Sequence, residues 1–516
     1  MRSKRRKSAL TGATRVTLPL LCGCVLSGCV QLGPDFTPPG EPWVDGWSSK
    51  SIAQGTNHQQ QADNPQWWSA FNDPLLDRLI SEADAHNATL RIAGLSILES
   101  RARLGMAQAG RLPQARIASA DAFYIDRNQS GGSNPQDNHF AQYSAGFDVG
   151  WELDFWGRYS RAIESSNAAY FAAQANYQDL LVILRAQVAT TYFALRTAEA
   201  RLRIARDNAK RQKRSLDITE RLFNSGNSAE LDLQQAKSQY LGTLSTLPDF
   251  EAQVASTRNA LAVLIGRPPS DLPELAEQTG LIPLVDSAAL NDVPANLLLR
   301  RPDIRAAQWQ VAAQSALVGV AETDLYPSLS LLGSIGWSAS SLGSASDTLT
   351  LGAGPSLSWN IFDQGLLRNN VRIQDARLQQ LIVAYRDRVR QAAREADDAA
   401  TGLIKSLERE RILSAASSAA ERSLELASAQ YREGYSDFQR VLDAQRALAN
   451  QQDSYLLSRS AAVSNLIGLY KALGGGWQSD QPLIDDATLK QMSHRTDWGD
   501  LLDESSPTSN KVQDDD

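Results

Sequence analysis

Cysteine is nearly absent, and what there is stands in one place. The three cysteines, Cys22, Cys24 and Cys29, fall within the first 29 residues of a 516-residue chain. No internal disulfide can form beyond Cys29, so the fold must rest on burial alone. Histidine is scarce as well. His58, His86, His139 and His494 are scattered, and none has a companion at metal-ligand spacing. No glycine loop of the GxxxxGK[ST] phosphate-binding type occurs. Glu152 and Asp154 stand two apart, and on an extended strand they would share a face. Solvation, or a cap for a following helix, suits them better than paired acid chemistry. No catalytic constellation, cofactor site or metal site is therefore expected, and the chain is not read as an enzyme. A basic face is missing too: the formal net charge is −7, which argues against a nucleic-acid partner. Long apolar runs are also lacking. The one candidate, about 16–26, is too short to cross a bilayer, which takes ~20 residues.

That run has a recognisable setting. Arg2, Lys4, Arg5, Arg6 and Lys7 precede it, which is the charge-then-apolar order of a secretory signal. Leu26-Ser-Gly-Cys29 resembles the lipobox of bacterial lipoproteins. The resemblance implies a signal peptide over 1–28 and an acylated segment over 29–74, with Cys29 carrying N-terminal acyl and diacylglycerol groups. An ordinary signal peptide with incidental cysteines is the alternative. Removing 1–28 takes away six cations, Arg15 being the sixth, and no anion, so a net charge of −7 becomes −13. Val30 and Gln31 follow the box without an aspartate. Among lipoproteins that pattern favours sorting to the outer membrane. Several acyl chains would hold the N-terminus firmly, where one binds only marginally.

The rest of the chain is one unit written twice. Trp151-Glu-Leu-Asp-Phe-Trp-Gly157 aligns with Trp359-Asn-Ile-Phe-Asp-Gln-Gly365, an offset of 208. Tyr177 and Tyr385, Leu195 and Leu403, and Gly226 and Gly434 keep that offset. Upstream it becomes 214, pairing Arg91 with Arg305, Gly105 with Gly319 and Pro113 with Pro327. The difference falls in a loop near 128–138. Repeat one is placed at 75–270 and repeat two at 301–475. A connector over 271–300 lies between them, and an equatorial or disordered acidic tail over 476–516 follows, its last twenty or so residues expected to be mobile.

Each repeat reads helix, strand, strand, very long helix, turn, helix. The first long helix, 158–223, contains no glycine or proline and would reach about 100 Å at 1.5 Å per residue. Tyr177, Leu181, Leu184, Val188, Thr191, Leu195, Ala198, Leu202 and Ala205 form a heptad seam along it. The second long helix, 366–432, has a more alanine-rich seam and one glycine, Gly402. Shorter helices are expected over 229–265, 301–324 and 437–473, with Pro248 kinking the first or ending it early. Strands are expected at about 114–126, 140–152, 328–339 and 348–361. In the second, Ala141, Tyr143, Ala145, Phe147, Val149 and Trp151 alternate with Gln142, Ser144, Gly146, Asp148 and Gly150. Strands of ten to thirteen residues with aromatics near their ends suit a membrane sheet; a soluble sheet with one buried face is the alternative. Four strands cannot close, and lipid tolerates no open edge. The barrel must then be shared between copies, with eight strands from a dimer or twelve from a trimer.

Six motifs stand out: Trp151-Glu-Leu-Asp-Phe-Trp-Gly-Arg158, Arg300-Arg-Pro-Asp-Ile-Arg-Ala-Ala-Gln308, Trp359-Asn-Ile-Phe-Asp-Gln-Gly365, Tyr431-Arg-Glu-Gly434, Val441-Leu-Asp-Ala-Gln-Arg446 and Leu473-Gly-Gly-Gly-Trp477. In these the chain resembles the TolC-type outer-membrane factor family, in particular the NodT-like lipoprotein branch serving resistance-nodulation-division (RND) efflux systems. The resemblance implies a mainly α fold with a membrane β part: a trimeric 12-stranded β-barrel continued by a long periplasmic α-helical barrel. It implies an outer-membrane exit duct for drugs or other small molecules, a homotrimer in outer-membrane lipid that reaches into the periplasm. The implied partners are a periplasmic adaptor (membrane fusion) protein and an inner-membrane RND-type pump. Gly226 and Gly434 would turn the helix hairpins. Asp443 and Arg446, with Asp437 and Arg440 nearby, would form the periplasmic gate. An isolated i,i+3 surface pair contributes only ~0.3–0.5 kcal/mol, so a solvated helix face is the alternative for Asp443 and Arg446. Some family members carry an apolar ring one turn earlier, where this chain has Gln439, which puts a hydrophobic seal in doubt. An exit duct for type I protein secretion and a non-pore coiled-coil envelope lipoprotein are the competing readings. The sequence names neither the cargo nor the particular pump.

Overall fold

The computed structural model describes residues 31–40, 66–126, 139–269, 272–275, 282–285, 299–340, 348–479 and 481–502. Cys29, the 128–138 loop, most of the 271–300 connector and the end of the acidic tail lie outside them.

Eight α-helices and four strands are found among the described residues. In chain order they are α1 (Pro74–His86), α2 (Ala88–Ala109), β1 (Ala115–Asp126), β2 (His139–Glu152), α3 (Arg158–Asn224), α4 (Glu230–Leu264), α5 (Pro302–Thr323), β3 (Ser328–Ala339), β4 (Thr348–Ser358), α6 (Gln364–Arg432), α7 (Phe438–Ala472) and α8 (Asp486–Arg495). A short 3-10 turn, Trp67–Phe71, precedes α1.

The chain divides into two compact units, each drawing on both sequence repeats. The first takes in residues up to 37 together with 102–169 and 311–380, and holds the sheet. Its four strands are antiparallel in the order β1-β2-β3-β4, so among the described residues β1 and β4 are open edges. Asp154, beyond the end of β2, accepts the backbone N–H groups of Tyr159 and Ser160, each at 2.9 Å. It caps the first turn of α3, satisfying donors that a helix start leaves free.

The second unit takes in 38–101, 170–310 and 381–516. Its core is a seam between helices. Eight of the nine heptad positions of α3 are buried, Thr191 alone being half-exposed. They meet Leu75, Leu76, Leu79 and Ile80 of α1, Leu261 of α4, Leu403 of α6, and Val463, Leu466 and Ile467 of α7. Trp67 stacks on Tyr470, ring centroids 5.2 Å apart.

Four boundaries depart from the sequence reading. The first helix is two, α1 and α2, divided at Asn87, whose backbone is extended and whose side chain accepts Leu90 N–H at 3.1 Å. Pro248 stays inside α4 and does not end it. It is exposed, and hydroxyls of Ser245 and Thr246 donate to the carbonyls of Gly242 and Thr243 one turn earlier, at 2.8 Å each. Its exposure lets water reach Leu244 O, the carbonyl that lacks a helical partner because proline has no N–H. β4 stops at Ser358, three residues short of 361, because the Trp359 indole turns away to donate to Leu325 O at 3.1 Å. The tail carries α8, capped by Asp485 and packed through Met492 on Leu98 and Ile484.

Candidate functional site

The first functional surface is the sheet. The strand register sorts side chains onto two faces without a slip. Ser144, Gly146, Asp148 and Glu152 of β2 stand opposite Ser338, Gly336, Ser334 and Ser330 of β3. Those in turn meet Thr348, Thr350, Gly352 and Ser356 of β4. The other face collects Phe147, Val149 and Trp151 beside Ile335 and Leu331, then Leu349, Leu351 and Leu357. Two strands break the pattern: in β1 Arg116 falls on the apolar face, opposite Val149, and Ile117 on the polar face, opposite Asp148, and in β3 Leu332 falls on the polar face between Gly150 and Gly354. Among the described residues nothing covers the apolar face. Leu351 is 73% exposed, Leu357 69% and Leu349 63%. A soluble sheet would bury such a row against a second layer. No helix among the described residues is long and apolar enough to cross a membrane, which leaves the question of a β-barrel untouched.

The second surface is the pair of hairpin turns. Gly226 ends α3 and Gly434 ends α6, each at φ +77°. Asn227 N–H reaches back to Leu222 O at 2.8 Å, and Tyr435 N–H to Gln430 O at 2.9 Å, so both helices close with the same left-handed glycine cap. Asp437 accepts Arg440 N–H at 3.3 Å and caps α7. Asp443 accepts from the Gln439 amide at 3.0 Å, which gives Gln439 a polar partner where an apolar ring might have stood. Arg446 donates through Nε to Gln239 on α4 at 3.0 Å and stands 3.9 Å from Asp443, both side chains exposed. The four gate candidates therefore share the first turns of α7, but within one copy Asp443 and Arg446 form only a loose surface pair. Below them Phe438, Val441, Leu442 and Leu448 pack on Leu424 and Ala236. Beside this cluster, a groove of about 620 Å³ is walled by Arg211, Arg214, Glu421, Tyr431 and Gln445 among others.

Sequence reasoning missed the buried arginines. Arg301, in the specific Arg300-Arg-Pro-Asp303 string, is buried with Asp303 and holds it through two contacts of 3.0 Å. It also donates to Ala472 O at 2.6 Å and Glu395 at 3.0 Å, tying the start of α5 to α6 and α7. Arg185 grips Asp84 through Nε and Nη2, the nearest contact 2.6 Å, and donates to Gly476 O and Gln478 O at 2.7 Å each. Asp303 stands only two positions from Arg301, but Glu395 and Ala472 are 94 and 171 positions away, and the partners of Arg185 are 101 to 293 away, so spacing does not announce these contacts. Burial lifts the Asp179 carboxyl to about 6. Asp303 adds to the rise, while Arg301, Arg388 and Lys471 pull against it. Burial likewise raises Asp84, and its hydrogen bond and ion pair with Arg185 oppose the rise. Among the described residues no group of three or more acidic, histidine or cysteine side chains could hold a metal ion.

A sheet with a bare apolar face and a polar face, in a chain that also carries helices of 67 and 69 residues, points to a membrane-inserted channel subunit of the cell envelope. The comparisons with known proteins agree. Residues 79–267 and 293–475 match the family described as outer membrane efflux protein. The chain belongs to that family. It is 30% identical over 465 residues to the probable outer membrane lipoprotein SilC of Salmonella typhimurium, covering 88% of this chain and 97% of SilC. It is 31% identical over 479 residues to the pyoverdine export outer membrane protein OpmQ of Pseudomonas putida, covering 90% of this chain and all of OpmQ. The solved structure of the outer-membrane channel OprN superposes with a TM-score of 0.78 at 33% identity, covering 87% of this chain and 100% of that one. The protein is an outer-membrane efflux channel, mainly α with a membrane β part.

Proposed function

We propose that three copies of the chain close one twelve-stranded barrel, and that this barrel is the passive outer-membrane exit of a tripartite pump for drugs or other small molecules. The open sheet carries the reading. Among the described residues both edge strands are unpaired, and a row of leucines is bare. In hydrocarbon each unpaired backbone group costs several kcal/mol. The smallest single-chain barrels need eight strands, so this sheet must find its remaining strands on other copies. Relatives are named for toluene efflux and cation efflux, which supports the small-molecule reading over protein export.

In this reading Cys29 carries acyl and diacylglycerol groups and holds each copy to the membrane. The hairpin turns at Gly226 and Gly434 face a periplasmic adaptor. Threefold repetition sets Asp443 and Arg446 of adjacent copies close enough to hold the tip shut, with Asp437 and Arg440 alongside. The adaptor releases those contacts, and an inner-membrane RND-type pump supplies the energy, so the duct itself does no catalysis and needs no cofactor. The test is reconstitution of the mature, acylated protein in planar bilayers. Small, gated conductance steps support the reading. A protein that leaves membranes in salt without detergent, and never conducts, refutes it.

A further inference from the structure

The segment that follows Cys29 is built into the junction between sheet and helix. Leu32 N–H donates to Trp156 O at 3.2 Å. Arg161, one turn into α3 and 2% exposed, donates through Nε to Leu32 O at 3.0 Å. Its Nη2 donates to Gly33 O at 3.2 Å and to Asp35 at 2.7 Å, and its Nη1 to Glu164 at 2.7 Å. Ser315 on α5 donates to Pro34 O at 3.3 Å. Glycines clear the path for this backbone. A Cβ on Gly157, which sits at φ +79°, would lie 2.6 Å from Gln31 Cγ and 3.1 Å from its Cα. A Cβ on Gly319 would lie 2.7 Å from Leu32 O, and one on Gly33 would overlap Gly319.

The internal repeat shows that this arrangement is specific. The offset of 208 sets Gly365 and Asn369 opposite Gly157 and Arg161, and the offset of 214 sets Gly105 opposite Gly319. A Cβ on Gly365 or Gly105 would meet nothing within 4 Å, and Asn369 is exposed. The scaffold occurs twice, but only one copy holds a buried arginine and a packed segment. A buried guanidinium is stable only if its donors are used, and three of the four groups that use them here, Leu32 O, Gly33 O and Asp35, belong to the segment, with Glu164 on α3 the fourth.

We propose that this cradle is a receptor for the chain's own mature N-terminus, and that Arg161 is the positioning residue that fixes where the lipid anchor enters the bilayer. The inference rests on acylation of Cys29. Gln31 is held against Gly157, and two residues of extended chain span at most about 7 Å. An anchor on Cys29 is therefore tethered within that reach of Gly157, where α3 begins. The anchor fixes the depth at which the sheet meets the membrane, in addition to tethering the chain.

The test uses full-length protein in its own outer membrane, in four forms: wild type, Arg161→Ala, an insertion of six Gly/Ser residues between Val30 and Gln31, and both together. Acylation is read from the mass of the N-terminal peptide, docking from amide exchange at Leu32, and assembly from the fraction of SDS-resistant, heat-modifiable oligomer. Arg161→Ala should speed Leu32 exchange by about tenfold or more and lower assembly several-fold. The insertion should leave Leu32 protected yet lower assembly to the same extent, and the double form should be no worse than either, since both release one anchor. The insertion leaves every cradle residue in place, so the test survives a folding failure of Arg161→Ala. Acylated insertion protein that assembles like wild type would overturn the placement of the anchor. Unprotected Leu32 in the wild type would overturn the cradle. Protected Leu32 with an unacylated Cys29 would overturn the lipid anchor itself and leave the docked segment standing.

Discussion

Gly226 and Gly434 lie 208 positions apart and share a φ of +77°. Each is followed by a residue whose N–H returns to a carbonyl five positions earlier, on Leu222 and Gln430. A Cβ at either site would meet nothing within 4 Å, so any cost of a side chain there is conformational. Gly226→Ala and Gly434→Ala should each destabilise its hairpin by about 1 kcal/mol, read as faster amide exchange confined to the turn and the helix ends beside it. Gly434→Asn should cost less, because asparagine tolerates the left-handed region. Equal exchange in glycine and alanine forms would show that the turn is not held in this conformation.

At the tip, Asp443→Ala and Arg446→Ala should each raise conductance in planar bilayers. Within one copy the two side chains are exposed and 3.9 Å apart, so the pair alone is worth only a few tenths of a kcal/mol. The effect must come from neighbouring copies, and high salt should mimic it in the wild type. Unchanged conductance in both variants removes this gate.

Arg185→Lys should destabilise the second unit by roughly 2–3 kcal/mol. Lysine keeps the charge but cannot hold Asp84 through two nitrogens while also serving Gly476 O and Gln478 O. Asp84 is then left buried with an incomplete partner. Thermal unfolding of the detergent-solubilised protein measures the loss, and a midpoint within a degree of wild type would contradict it.

Asp179 gives a pH dependence of definite sign. Its folded value, about 6, lies above the ordinary 3.8. The folded state therefore holds the proton more tightly than the unfolded state, and that stabilisation is complete below 3.8 and lost as pH rises through about 6. Asp179→Asn should raise the melting midpoint by roughly 2 °C at pH 7–8 and have little effect at pH 4. A variant that destabilises equally at both pH values would show that the carboxylate is a needed partner of Arg301, Arg388 or Lys471.

On the sheet, Leu351→Arg on the bare face should impair membrane assembly, at a cost of about 2–4 kcal/mol near the bilayer centre. Thr350→Asp on the opposite face, across from Gly336, should be tolerated. Equal tolerance of both would remove the distinction between a lipid face and a wet face.

The long helices and the strands were legible because their signals are local. Glycine and proline are absent from 158 to 223, and serine, threonine and glycine alternate with leucine along β3 and β4. The repeat was legible through its punctuation, and it extends to single hydrogen bonds. The Trp151 indole donates to Arg111 O and the Trp359 indole to Leu325 O, both at 3.1 Å, with partners offset by 208 and 214. What stayed hidden depends on distant partners. Arg161, Arg185 and Arg301 look like surface cations in the sequence, and only the fold shows which carbonyls and carboxylates surround them. The break at Asn87 was missed because an asparagine cap inside a helical pattern carries no proline or glycine signal. Helix α8 was missed because an acidic tail outweighed the Asp485 cap and the apolar Leu489 and Met492. The gate candidates lie beside the Gly434 turn, and the proposed coupling between them depends on contacts between copies that no single chain contains.

The measurement that bears most directly on the central claim is the mass of the purified, acylated protein in detergent micelles, corrected for bound detergent. The account predicts three mature chains per particle, because a four-stranded sheet with two free edges cannot stand alone in lipid. A monodisperse single chain with its four strands intact would contradict it.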